Sequence, residues 1–166
     1  IKGVSVRRKF FPPEIYINVL EREPIAFASR GFSNNIEKGM IDIEGSWIPL
    51  QFVNKSKQKK IKLSIENWNP NKKKEIILII KNRFIFQSPL QKIRINPLQE
   101  ISLKTEHFES VLLGSGTDRL IEQINKLNQL QKSLPNLLIN TKVKIVDLKD
   151  PTKPELKVER IQNDGR

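Results

Sequence analysis

Few groups in this 166-residue chain are suited to bond-making chemistry. It contains no cysteine, which removes thiolate nucleophiles, thiolate-held zinc and iron–sulfur clusters together. His107 is the single histidine, so a His-based triad or metal centre has to be built on TEHFES, where Glu106 and Glu109 flank it. Metal ligation there is chemically conceivable, but a histidine in a short polar stretch reads first as part of a surface turn. The sequence has no H-x-x-x-H, G-x-S-x-G or phosphate-loop pattern. LLGSGTD (112–118) sets two glycines before a helical pattern and could seat an anion at a helix start. The third glycine and the downstream acid of a dinucleotide fingerprint are lacking, and a turn needing small residues accounts for the stretch. Glu21 with Glu23, and Asp42 with Glu44, are period-two neighbours on a strand face, the kind of pairing that acid–base catalysis uses. Nothing in the pattern marks either pair as buried. Trp47 and Trp68 could stack on a sugar or a base, although isolated tryptophans in a β-rich domain belong more often to the core. No catalytic residue, cofactor or metal site follows, and the chain reads as a binding or scaffolding module rather than an enzyme.

Lys and Arg outnumber Asp and Glu by 30 to 18, for a formal net charge of +12. Such an excess suits a polyanionic partner: nucleic acid, anionic lipid or an acidic cell-wall polymer. A basic nucleic-acid-binding domain is therefore one alternative. Against it, the densest groups, KSKQKK (55–60) and NKKK (71–74), fall in polar stretches that read as solvated loops or helix starts. They are not interleaved with the aromatics that single-strand binding needs, and an AT-rich genome supplies lysine, asparagine and isoleucine on its own. Nucleic acid is not expected as a partner. No apolar run reaches the ~18–20 residues of a membrane span, since Lys81 and Arg83 interrupt EIILIIKNRFIF (75–86). Because Ile1 falls inside a strand pattern, further N-terminal sequence is expected to precede it.

The elements that must position any site follow from period and punctuation. Val4 and Val6, then Ile15, Ile17 and Val19, alternate as two strands around a loop with prolines. Glu21, Arg22 and Glu23 carry no apolar residue, and Pro24 cannot donate to a ladder, so the strand should loosen there before Ile25, Ala26 and Phe27 begin a new unit. MIDIEGSWIPL (40–50) predicts a tight hairpin turning at Glu44–Gly45, and IKLSIEN (61–67) alternates again. Asn69 as cap, Pro70 at the first position, and Ile76, Ile77, Ile80 and Phe84 at helical spacing predict a helix over 70–83. Strands are predicted at 92–96, 100–105 and 110–114. A second helix is capped by Thr117 with Asp118 favouring its dipole, has Leu120, Ile121, Ile124, Leu127 and Leu134 as its stripe, and stops at Leu134–Pro135. VKIVDL (143–148) and ELKVERI (155–161) close the chain as strands around DPTKP, and NDGR at the end should fray. The sum, eight to ten grouped strands and two or three helices, predicts an α+β fold with a mostly antiparallel mixed sheet.

VSVRRKFFPPEIYINVLEREPIAFA (4–28), followed by GMIDIEGSWIP (39–49), resembles the extracytoplasmic part of the FtsQ/DivIB bacterial division proteins. That family has an Arg-rich turn with proline, an alternating strand, an E-R-x-P-x-A segment and a hairpin with I-D-x-x-G. Here these stand as Glu21-Arg22-Glu23-Pro24-Ile25-Ala26 and Ile41-Asp42-Ile43-Glu44-Gly45. VLLGSGTDRLIEQINKLNQL (111–130) is similar to the family's V-x-L-G and helix, and VKIVDLKDP (143–151) to its I-D-L-R strand. Lys149 stands in place of the arginine, and Asp150–Pro151 where proteobacterial members carry an aromatic. The resemblance covers nearly the whole chain in order and spacing. It implies that residues 1–23 are the last strands of a truncated POTRA domain, that 24–166 form the β domain, and that Glu21, Arg22 and Pro24 mark the junction. It further implies a non-enzymatic scaffold of the divisome, anchored in the inner membrane by a single N-terminal helix missing here, with this region on the periplasmic side. Its partners in septum formation would be FtsB/DivIC- and FtsL-type proteins. The implied contact is β-strand addition on the terminal strand, which falls on Glu155, Leu156, Lys157, Val158 and Glu159. A POTRA-containing outer-membrane assembly or secretion module is a further alternative, because the opening strands alone fit it; that reading expects repeated units, and none is visible.

Overall fold

The computed structural model describes residues 1–31, 35–116, 118–137 and 141–160, so Thr117 and the final NDGR lie outside the described residues. Strands β1 (Gly3–Lys9) and β2 (Glu14–Leu20) pair antiparallel as a two-stranded ribbon. Val4 stands opposite Val19, Val6 opposite Ile17 and Arg8 opposite Ile15, so period-two alternation collects one apolar face. Nearly every residue of both strands is exposed.

The second sheet begins at Pro24, where β3 (Pro24–Arg30) uses proline as its first residue, the place a strand tolerates it. β4 (Glu37–Asp42), β5 (Trp47–Pro49), β6 (Ser64–Glu66), β7 (Leu90–Ile95), β8 (Ile101–Thr105), β9 (Ser110–Gly114), β10 (Thr141–Asp147) and β11 (Glu155–Arg160) complete it. The order across the sheet is β11-β10-β9-β8-β7-β6-β3-β4-β5. β3·β6, β6·β7 and β9·β10 are parallel, and the other neighbours antiparallel. The fold is thus α+β with a mostly antiparallel mixed sheet. The parallel neighbours demand crossovers, which α2 (Lys73–Lys81) makes between β6 and β7, and α3 (Leu120–Leu137) between β9 and β10.

Both crossover helices pack into one core. Ile76, Ile79 and Ile80 of α2 and Leu120, Ile124, Leu127 and Leu134 of α3 share a buried cluster with Ile65, Ile93, Leu103, Val111 and Val146 of the sheet. A smaller cluster, Met40, Ile48 and Val53 with Phe27, Leu50 and Ile61, lies on the opposite face of β3–β5. The alternation of Met40 and Ile41 feeds one residue to each cluster.

Three expectations need correction. Pro135 does not stop the second helix, which runs to Leu137. Proline's fixed φ is already helical, so in a final turn it forfeits one hydrogen bond without breaking the spiral. Phe84 and Ile121 leave their stripes and are largely exposed, while Ile79 and Phe86 are buried. The first helix starts as a 3-10 turn at Pro70–Lys72, capped by the Asn69 side chain on the Asn71 amide, and its α-helical part ends at Lys81. Arg83–Ile85 then turns separately as 3-10, and this swings Phe84 outward, where Arg83 lies over its ring. KSKQKK, read as a solvated loop or helix start, is the helix α1 (Lys55–Lys60), with the Asn54 side chain accepting from the Ser56 amide.

Candidate functional site

β11 occupies one end of the nine-stranded sheet, bonded to β10 on one side and to no described strand on the other. The preceding turn fixes its entry. Asp150 accepts hydrogen bonds from the Thr152 amide (3.0 Å) and hydroxyl (2.6 Å), and Arg119 reaches the same carboxylate at 3.1 Å. The Thr152 bonds hold the Asp150 carboxyl below its usual range. The register places Leu156 opposite Val146 and Val158 opposite Val143, so both continue the buried face of the sheet out to its margin. There they are 36% and 50% exposed, because no further layer covers them. Glu155 stands opposite Asp147 and Lys157 opposite Ile145 on the other face, and all five residues from Glu155 to Glu159 are exposed. A bulge between Val143 and Ile145 leaves Lys144 out of register; its amine reaches Glu159 at 2.9 Å, and that bond raises the Lys144 pKa. The edge therefore offers a row of main-chain donors and acceptors, two uncovered aliphatic side chains, and alternating charges that discourage indiscriminate pairing.

The junction residues of the sequence form a second cluster. Arg22 donates from Nη1 to Asp42 Oδ2 at 2.6 Å and approaches Glu44 at 3.5 Å. Asp42 is buried at the end of β4, directly opposite Pro24, and its other oxygen accepts from the Glu44 and Ser46 amides at 2.9 and 2.8 Å. One carboxylate thus builds the β4–β5 turn, where Gly45 takes φ +70°, and anchors the segment leaving the ribbon. The Asp42 hydrogen bond pushes the Arg22 pKa up. Lys2 of the ribbon pairs with Glu44 at 2.6 Å and holds that carboxyl below its ordinary range. Glu21 contributes only an exposed 3.7 Å pair with Lys57. The sequence marks Arg22 as a junction residue but not its partner; Asp42 and Glu44, period-two neighbours with no sign of burial in the pattern, divide here, with Asp42 buried and holding Arg22 and two backbone amides.

The remaining candidates are dispersed. His107, Glu106 and Glu109 are exposed, and no group of three metal-ligating side chains occurs among the described residues. Gly114 takes φ +75°, and the Lys72 amine donates to the Ser115 carbonyl at 2.7 Å, tying the loop ahead of α3 to the start of α2. Trp68 is buried, and its ring centroid lies 5.6 Å from that of Trp47. No helix among the described residues is long and apolar enough to cross a membrane. No model of a known protein family matches the chain, and no curated protein matches it.

Proposed function

We propose that this protein is a non-enzymatic scaffold of the bacterial division complex that recruits partners of the FtsB/DivIC and FtsL type by accepting an added strand along β11. The observation that carries the reading is the uncovered β11 edge, whose outer side has no described neighbour and whose Leu156 and Val158 continue the core face. The motif resemblance supplies the biological setting: an extracytoplasmic region, tethered to the inner membrane by a helix outside this chain, acting at the septum. Five residues of added strand gain about four main-chain bonds worth ~1 kcal/mol net each. Covering the exposed parts of Leu156 and Val158 adds roughly 1–2 kcal/mol. Micromolar binding needs about 8 kcal/mol, so the partner must make further contacts beyond the strand itself.

Along a strand, successive amides point alternately to one neighbour and to the other. Of Lys157→Pro and Val158→Pro, one therefore removes an amide that serves β10 and the other an amide that faces outward. The test measures the affinity of a purified FtsB/FtsL-type pair for the protein and for both variants, with circular dichroism reporting the fold. Loss of binding in a variant that keeps its fold supports the edge. Unchanged affinity in both folded variants rejects it.

A further inference from the structure

Parallel strands β3, β6 and β7 lie side by side, so their carboxyl ends open at the same margin of the sheet. In open sheets that margin is where ligands bind, because the chain departs from each strand end and leaves a crevice between the departing loops. Here the residues leaving the three strands, Gly31, Asn67 and Asn96, line one cleft of about 480 Å³ together with Trp68, Asn69 and Gln99. That volume lies within the ~300–1,000 Å³ usual for small-molecule sites.

The backbone marks the same place. Among the described residues only Asn67 (φ 56°) and Gln99 (φ 63°) are non-glycine residues in the left-handed region, and both line this cleft. Asparagine tolerates that region; glutamine is a poor choice there. Gln99 sits in the β7–β8 turn, where its amide donates to the Asn96 carbonyl and the Asn96 amide to the Glu100 carbonyl. Glycine would take this position without strain. What the strain retains is a carboxamide in the cleft, with its oxygen accepting from Asn69 Nδ2 at 3.0 Å. Strain held at a concave site is a pointer to function.

The chemistry of the lining is specific. Asn67 Nδ2 donates to the Ile95 carbonyl at 3.0 Å, leaving Asn67 Oδ1 without a described partner. The Gln99 amide nitrogen likewise has no described partner, and the exposed Asn35 lines the rim. Charge is cancelled: Arg30 donates to Glu37 at 2.7 Å and lies 4.3 Å over the Trp47 ring. In a chain of net charge +12 this cleft presents neutral carboxamides, donors beside acceptors. Such sets match vicinal hydroxyl groups, each of which both donates and accepts, and with Arg30 paired to Glu37 they carry no free positive charge to favour an anion.

We propose that this cleft binds a neutral oligosaccharide, held by the carboxamides of Asn67 and Gln99. The site lies on β3, β6 and β7, with β7 four strands from β11, and does not rest on the docking edge. The probes are cellotetraose, chitotetraose and maltotetraose, with a heparin tetrasaccharide as the anionic comparison, each followed by saturation-transfer NMR on the intact protein at about 5 mM probe, a concentration that detects millimolar affinity. At least one neutral tetrasaccharide is expected to receive saturation. Gln99→Gly is expected to weaken it about tenfold, the loss of one or two hydrogen bonds, while its melting temperature holds or rises because the strain is relieved. Asn67→Gly serves as a second variant with the same readout. No transfer to any neutral probe, transfer to heparin alone, or full binding retained in both folded variants would overturn the proposal.

Discussion

Asp42 is the residue whose removal should be felt most widely, since its two oxygens serve two backbone amides and the Arg22 guanidinium at once. Asp42→Ala is expected to lower stability by about 2–4 kcal/mol, as those donors lose a charged acceptor inside the protein. Arg22→Met leaves the carboxylate its two amides, and a smaller loss of about 1–2 kcal/mol is expected. Urea titration distinguishes the two, and equal, negligible shifts would contradict the shared-carboxylate reading. Glu66 gives a pH-dependent counterpart. Lys92 first, then Arg94, hold its carboxyl below the ordinary glutamate value of 4.5. Its depressed folded pKa makes the contribution full above pH ~4.5 and lost as pH falls through the folded value. Glu66→Gln should flatten the acid limb of the stability curve in that window. These pairs were hard to read from sequence. A charge such as Arg22 is visible as a letter, but its partner lies twenty positions on and is selected by a turn closing over it.

At the level of elements, α3 is fastened by polar as well as apolar groups. Gln123 is buried and donates from Nε2 to the Leu113 and Leu148 carbonyls, both at 2.8 Å, bridging β9 to the residue after β10. Two turns on, buried Gln131 donates from Nε2 to the Ser88 hydroxyl at 2.9 Å and accepts at Oε1 from the Gln87 amide at 3.0 Å. Gln123→Leu should cost about 2–4 kcal/mol despite similar volume, because two buried carbonyls lose their donor; thermal denaturation reads it directly. The apolar spacing of α3 announced the helix and most of its buried stripe. It could not announce the glutamines, which look like solvent residues until a strand end is brought against them. The same limit misplaced Phe84 and Ile121: period says that a helix has an apolar face, while the width of that face is set by what packs on it. The strands were legible for the opposite reason, since alternation states both period and orientation at once.

For the molecule as a whole, the ribbon and the nine-stranded sheet hold together through few contacts. Lys2–Glu44 and Lys57–Glu21 are exposed pairs that salt screens, and among the described residues only the Arg22–Asp42 pair at this junction is sheltered. A two-stranded ribbon with both faces in solvent is marginal by itself. Its amides are expected to exchange hydrogen far faster than those of β7–β9, and faster still in high salt; equal protection in both sheets would contradict this. The open sheet face carries its own weakness, since Lys92 and Lys104 stand directly opposite. Lys104→Glu should add roughly 0.2–1 kcal/mol of stability, measured by the same denaturant titration. The overall class of fold was readable because grouped strands and two amphipathic helices leave few arrangements; the order of the sheet was not, because parallel neighbours are joined through distant crossovers. That order also makes the two margins unlike. One ends in the six residues of β11, the other in the three of β5, whose last is Pro49. A strand docked on β11 as proposed would find no equivalent landing at the far margin, so such recruitment would stop at a single guest per copy, and the short Pro49-ended β5 works against stacking end to end into a fibre.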